Sequence, residues 1–337
     1  MKATIAAIAY HLPENSLTNE QLAREFPEWD VQKIEEKTGI AERWIAGEDE
    51  CSSDLGVVAT QKLFSSRACT PDQIDYLIVC TQSPDYFLPT TACLLQQRLG
   101  VPSTAGALDF NLGCSGYVYG LGLAKGLIET GQAKNVLFIT AETYSKFLHP
   151  RDKNVRTLFG DAATATLLRA VDDPGELIGP FVYGTDGSGA ANLIVSCGGL
   201  RQPWTSDPIH MAESEVNVDS PGRLFMNGPE IFSFTLRVVP QAVADLLERS
   251  SKSLDDIDLF VFHQANQYML DHLRRKLGIP AEKFFVGMRH CGNTVSSTIP
   301  IALCQAVEQG RLNSGQLALL VGFGVGYSWG ATLVWWA

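Results

Sequence analysis

Two stretches of the chain carry the same rhythm of polar and apolar positions. Gln73-Ile74-Asp75 leads into Tyr76-Leu77-Ile78-Val79-Cys80, and Asp256-Ile257-Asp258 leads into Leu259-Phe260-Val261-Phe262-His263. Each is a polar turn, an Ile-Asp pair and an unbroken apolar run, the pattern of a strand covered on both faces. Further on, Thr130-Gly131-Gln132 followed by Val136 to Ile139 matches Ser314-Gly315-Gln316 followed by Leu317 to Val321. The two pairs are separated by 183 and 184 positions, so one internal duplication accounts for both.

Between the strands the pattern is helical. Tyr117 to Thr130 holds small and apolar residues without proline and stops at Gly131, a residue suited to a helix C-cap. Thr298 to Gly310 takes the same place in the second half, with Pro300 near its start, where a helix tolerates it. Strands alternating with helices predict an α/β fold. The duplication predicts two halves, 1–172 and 173–337, joined at Asp172-Asp173-Pro174-Gly175. Arg201 to Arg223 is polar and aperiodic, and is expected to form a loop able to cover a site.

Composition narrows the function. With 337 residues, 45% of them hydrophobic and 19% charged, the chain has the make-up of a globular protein. A net charge of -11 argues against nucleic-acid binding, which needs a basic face, though a local basic mouth for anionic substrates is compatible with it. No apolar run reaches the length of a membrane span, and Ala3 to Ala9 reads as a strand rather than a secretory signal, so a cytoplasmic location is expected. None of the eight cysteines forms a C-x-x-C pair, and no Cys, His and carboxylate cluster has metal-ligand spacing.

One cysteine stands apart. Gly113-Cys114-Ser115-Gly116 lies between the apolar segment Ala107 to Phe110 and the helix beginning near Tyr117. At such a junction unpaired N–H groups and the helix dipole favour a thiolate, so a lowered thiol pKa is expected. His263 follows the apolar run Leu259 to Phe262, at the carboxyl end of a strand, where α/β sheets bind ligands. Asn293, in Gly292-Asn293-Thr294, lies at a corresponding end of the second half. A cysteine with two neutral or cationic donors suits acyl transfer from a thioester. Glu142, in Thr140-Ala141-Glu142-Thr143, is read as structural, and Asp75, Asp161 and Asp258 as turn and cap residues.

Taken together the motifs resemble those of β-ketoacyl-ACP synthase III, a condensing enzyme of the thiolase superfamily. They are Glu36-Lys37-Thr38-Gly39-Ile40, Gly113-Cys114-Ser115-Gly116, Leu158-Phe159-Gly160-Asp161, Met226-Asn227-Gly228, His263-Gln264-Ala265-Asn266, Gly292-Asn293-Thr294 and Gly322 to Gly330. The resemblance implies a thiolase-like fold of two pseudo-equivalent αβαβα halves. It also implies that Cys114 accepts an acyl group, and that His263 and Asn293 hold the carbonyl of a malonyl thioester as carbon dioxide leaves. The oxyanion of the condensation would meet the backbone N–H groups of Cys114 and Val325, the latter standing where the family has glycine.

Coenzyme A or the phosphopantetheine of an acyl carrier protein is implied as substrate carrier, with no resident cofactor or metal. Lys33 and Lys37 align with a tryptophan and an arginine of the family's adenine-binding motif, Lys153 and Tyr268 with two further arginines. Asn266 and the basic run Arg274-Arg275 complete the implied substrate contacts. Leu88 aligns with a phenylalanine that reaches the partner's acyl pocket in the homodimers the family forms across the first half's sheet. These departures point to a specialised lipid, polyketide or surface-polysaccharide pathway. Two other readings are an acyltransferase that passes the acyl group to an alcohol or amine with His263 as base, and a non-catalytic partner of an active condensing enzyme.

Overall fold

The structure is a computed structural model, and it describes residues 1–204 and 222–337. The strands, in chain order, are β1 (Lys2–His11), β2 (Asn15–Thr18), β3 (Glu42–Ile45), β4 (Tyr76–Cys80), β5 (Gly106–Phe110), β6 (Asn135–Glu142) and β7 (Ala162–Val171). They continue as β8 (Ile178–Thr185), β9 (Leu193–Val195), β10 (Leu224–Met226), β11 (Leu259–Phe262), β12 (Leu317–Gly324) and β13 (Ser328–Trp335). Most of the loop expected over Arg201 to Arg223 lies outside the described residues.

Two sheets carry the duplication. The first has the order β1-β7-β6-β4-β5 and the second β8-β13-β12-β11. In both, the repeated apolar run (β4, β11) pairs parallel with the second repeated strand (β6, β12), and that strand pairs antiparallel with the next. The repeated aspartates do the same job twice. Asp75 accepts the N–H groups of Lys134 and Asn135 ahead of β6, and Asp258 accepts that of Leu317 opening β12. The halves differ at one edge. β5 pairs along β4, whereas in the second half β11 meets an isolated bridge between Phe260 and Phe284.

The unbroken apolar runs are explained by layering. In β6, Val136 and Phe138 face a central cluster with the helices Gly116–Glu129 and Thr298–Glu308, while Leu137 and Ile139 face the outer helices Ser52–Ser65 and Thr91–Leu99. In β12, Ala318 and Leu320 point to the same central cluster, and Leu317, Leu319 and Val321 to the outer helices Gly228–Ser250 and Gln267–Leu277. A strand buried on both faces needs no polar alternation. The αβαβα order is therefore that of the whole chain, because the halves share the middle helical layer. Among the described residues no helix is long and apolar enough to cross a membrane.

Candidate active site

Cys114 is buried two residues ahead of the helix Gly116–Glu129, in a turn closed by the Gly116 N–H on the Gly113 carbonyl at 2.8 Å. The strand β12 from the other half lies directly against it. A Cβ on Gly322 would stand 2.7 Å from the Ser115 Cα, and one on Gly324 would stand 3.0 Å from the Cys114 sulfur. These glycines permit a backbone-to-backbone approach that any side chain would forbid. The turn after β12 is tied to the nucleophile turn by Ser328, whose hydroxyl lies 2.7 Å from that of Ser115 and donates to the Val325 carbonyl.

Two backbone N–H groups, those of Cys114 and Val325, act on the thiol. They favour the thiolate, yet burial, assisted by the Glu142 carboxylate, pushes the thiol up to about 12. The expectation of a lowered pKa is thus reversed. Loss of hydration outweighs the donors at the turn, and the resting side chain is a protonated thiol. Around it pack Tyr144, Leu148, Val155, Phe159, Leu193, Leu224 and Val295, an apolar lining for the nucleophile.

His263 follows β11, where its N–H donates to the Val321 carbonyl at 2.8 Å. Its ring stands edge-on to Phe323, with 5.4 Å between centroids. Nδ1 lies 2.8 Å from the Thr298 hydroxyl, which also reaches the Val295 carbonyl at 3.0 Å. Burial lowers its pKa to about 3, so the imidazole is neutral and the cationic alternative drops out. The other ring nitrogen, Nε2, is left for a ligand.

Asn293 is held by backbone and side chain alike. Its N–H donates to the Leu158 carbonyl at 2.9 Å and its carbonyl accepts the Gly160 N–H at 3.1 Å, a parallel bridge with Phe159. The Phe-Gly-Asp motif thereby acquires a physical task, which its sequence pattern did not reveal. The Asn293 amide is oriented by Nδ2 donating to the Ala265 carbonyl at 3.4 Å and Oδ1 accepting the Val295 N–H at 3.0 Å. Val295 adopts φ 55°, a left-handed conformation that strains a β-branched residue.

A cleft of about 850 Å³ opens beside this centre. Lys33, Lys37, Lys153, Asn266 and Tyr268 line it with Phe225 and Phe232. Leu158 and Met226 border the cleft and also pack against the cluster around Cys114. Asn266 has a second duty as a helix cap, accepting the Met269 N–H. Arg274 and Arg275 do not line the cleft: one donates to the Ile279 carbonyl at 3.1 Å and the other faces Asp271 at 3.9 Å. Leu88 is not among the cleft residues either; it is 85% exposed at a loop tip with Tyr86 and Phe87. Asp161 is no simple cap. It is buried, accepts the Ala46 and Ser145 N–H groups, and burial raises its pKa to about 6.

A buried cysteine beneath two N–H donors, in a five-layered duplicated α/β fold, defines an acyltransferase of the thiolase type. The chain matches the 3-oxoacyl-[acyl-carrier-protein] synthase III family over residues 108–187, and its C-terminal region over 247–336. The β-ketoacyl-[acyl-carrier-protein] synthase III of Clostridium perfringens is 38% identical, covering 98% of each chain. A crystal structure of a 3-oxoacyl-(acyl-carrier-protein) synthase III is 54% identical, covers all of both chains and superposes with a TM-score of 0.96. The priming β-ketosynthase of the R1128 polyketide pathway is 27% identical over 99% of this chain and 96% of its own, with a TM-score of 0.87. The chain belongs to the β-ketoacyl-ACP synthase III family of condensing enzymes.

Proposed function

We propose that Cys114 takes an acyl group from a thioester and that His263 and Asn293 then activate a malonyl-type thioester for condensation with it. The observation that carries this reading is the packing of the buried Cys114 turn against β12 of the other half, where a Cβ on Gly324 would stand 3.0 Å from the sulfur, with the backbone N–H groups of Cys114 and Val325 both favouring the thiolate. An oxyanion formed on a carbonyl carbon bonded to that sulfur falls within their reach.

In the first step the thiol attacks the donor thioester, and its proton leaves with the departing thiol through His263 Nε2. In the second, the malonyl thioester loses carbon dioxide, and its electron pair becomes an enolate whose oxygen lies against His263 and the Asn293 amide. The enolate carbon attacks the acyl-cysteine carbonyl. The carbon–sulfur bond to Cys114 breaks, a proton from water restores the thiol, and the β-ketoacyl thioester departs. Decarboxylation supplies the carbanion, so a neutral imidazole is sufficient.

Lys33, Lys37 and Lys153 suit the phosphates of coenzyme A or of a carrier-protein arm in the cleft. With lysines and Tyr268 in place of the family's arginines and tryptophan, the grip differs, which favours a specialised pathway. β5 ends its sheet with one edge unpaired, and Tyr86, Phe87 and Leu88 stand exposed, features suited to a homodimer; the cytoplasm is its place of work.

The test is mass spectrometry of the intact protein with a panel of acyl-coenzyme A and acyl-carrier thioesters, followed by malonyl thioester. An adduct that Cys114→Ala abolishes, and carbon dioxide release on malonyl addition, are the expected results. An adduct discharged to an alcohol or amine without carbon dioxide would favour simple acyl transfer. Absence of any adduct would overturn the scheme.

A further inference from the structure

Glu142 has no part in the condensation just described, yet its carboxyl is fully buried at the end of β6. Oε2 accepts the Gln82 N–H at 3.0 Å and the Ser83 hydroxyl at 3.2 Å, while Oε1 accepts the Ser296 hydroxyl at 2.8 Å. These partners come from two distant segments. Gln82 and Ser83 follow β4, and the Gln82 side chain presses on the nucleophile turn: a Cβ on Gly113 would stand 2.4 Å from its Oε1. That same oxygen accepts the Tyr144 hydroxyl at 3.1 Å. Ser296 belongs to the other half, three residues after Asn293, in the turn entered through the strained Val295.

A buried carboxyl without a cation is costly to keep, and among the described residues the chief groups acting on Glu142 are Gln82, Ser296, Ser83 and Asp161, none of them a cation. The titratable groups facing it are Asp161, Cys80, Cys114 and Tyr144, all acids. Charge attraction therefore gives no reason for its presence, whereas its three bonds join the segment after β4, whose Gln82 side chain lies against the nucleophile turn, to the Asn293 turn. A left-handed valine relaxes unless the surrounding structure restrains it. The Ser296 bond supplies such a restraint at the next residue.

We propose that Glu142 is a positioning residue that braces the Asn293 turn against the Cys114 turn, keeping the enolate-binding amide in register with the acyl-cysteine. This rests on the roles assigned to Asn293 and Cys114 above. Its consequence is selective: loosening the brace harms the step that uses Asn293 and spares acylation of Cys114.

The experiment compares Ser296→Ala, Glu142→Gln and Glu142→Val with the parent, measuring Cys114 acylation by mass spectrometry and carbon dioxide release by the pre-acylated enzyme. Ser296→Ala should slow carbon dioxide release about tenfold and leave acylation within about twofold, the scale expected for a small misplacement of one group. Glu142→Gln, whose amide can bridge the same segments with the Ser296 hydroxyl accepting, should stay near the parent, and Glu142→Val should behave like Ser296→Ala. Equal loss of both steps in Ser296→Ala, or no loss in either, would overturn the proposal. If Glu142→Val does not fold, Ser296→Ala decides alone. A parent that releases no carbon dioxide would instead refute the condensing role, a distinct outcome.

Discussion

Gly324→Ala is the most direct probe of how closely the halves meet at the nucleophile. Its new methyl would lie 2.9 Å from the Cys114 Cβ and 3.0 Å from the sulfur. Carbon contacts relax at about 3.5 to 4.0 Å, so the sulfur or the backbone must retreat by roughly 0.5 to 1 Å. The Cys114 Cβ cannot rotate away, because its place is set by the backbone. Overpacking of this kind costs about 1 to 3 kcal/mol. With an unfolding entropy of about 2 cal/mol/K per residue, a chain of this size should lose about 1.5 to 4.5 °C in Tm. Function should suffer more than stability, because the sulfur leaves the reach of the Val325 N–H. A displacement near 1 Å corresponds to a loss of about 10- to 100-fold in the acylation rate. Stopped mixing with an acyl thioester, read by intact mass, measures that rate, and differential scanning fluorimetry measures Tm. Acylation within about threefold of the parent, with Tm unchanged, would refute the close packing on which the oxyanion argument stands.

Three further expectations concern the groups around this centre. Thr298→Val leaves His263 Nδ1 without its hydroxyl partner and should cost about 1 to 3 kcal/mol in urea unfolding, with kcat reduced about tenfold and Thr298→Ser restoring most of it. Replacing Lys37 and Lys153 together with alanine should raise KM for a coenzyme A thioester about five- to tenfold, an effect that shrinks in about 0.5 M salt. Stability should also fall as pH rises from 6.5 to 8. Burial raises Glu142 from the usual 4.5 to about 8, so the folded state holds a proton there that the unfolded chain has lost. In that window the slope approaches about 1.4 kcal/mol per pH unit and flattens in Glu142→Gln. Below pH 6.5 the opposite sign enters, because His263, lowered to about 3, stays neutral in the fold while the unfolded ring charges. Urea midpoints at several pH values check both limbs; a parent as pH-independent as Glu142→Gln between 6.5 and 8 would contradict the buried acid.

Much of this was legible in the chain before any coordinate. The repeated Ile-Asp and apolar runs announce β4 and β11, since a strand with both faces covered must be apolar at every position. Their aspartates, alike in sequence, make like bonds to the openings of β6 and β12. Cys114, His263 and Asn293 were each marked by local pattern, because strand ends and glycine-flanked turns are recognisable from neighbours in sequence. The basic run Arg274-Arg275 was marked through the family resemblance and is spent on its own helix end, since sequence does not show which face a charge takes.

What tertiary structure alone decided is everything that depends on distant segments and on water. Which way the Cys114 pKa moves follows from how much hydration the packed halves remove, a sum over residues from 80 to 325 that no window of sequence contains. The same holds for the pairing of Phe159 with Asn293, the Thr298 hydroxyl on His263 and the Glu142 carboxyl joining Ser296 to the segment after β4. The sequence by itself determined the strands, the duplication and the reactive side chains, because periodicity and turn chemistry act over a few residues. The distances, protonation states and restraints that turn those side chains into a site come from burial across the junction of the two halves, where polar groups must find partners far away along the chain.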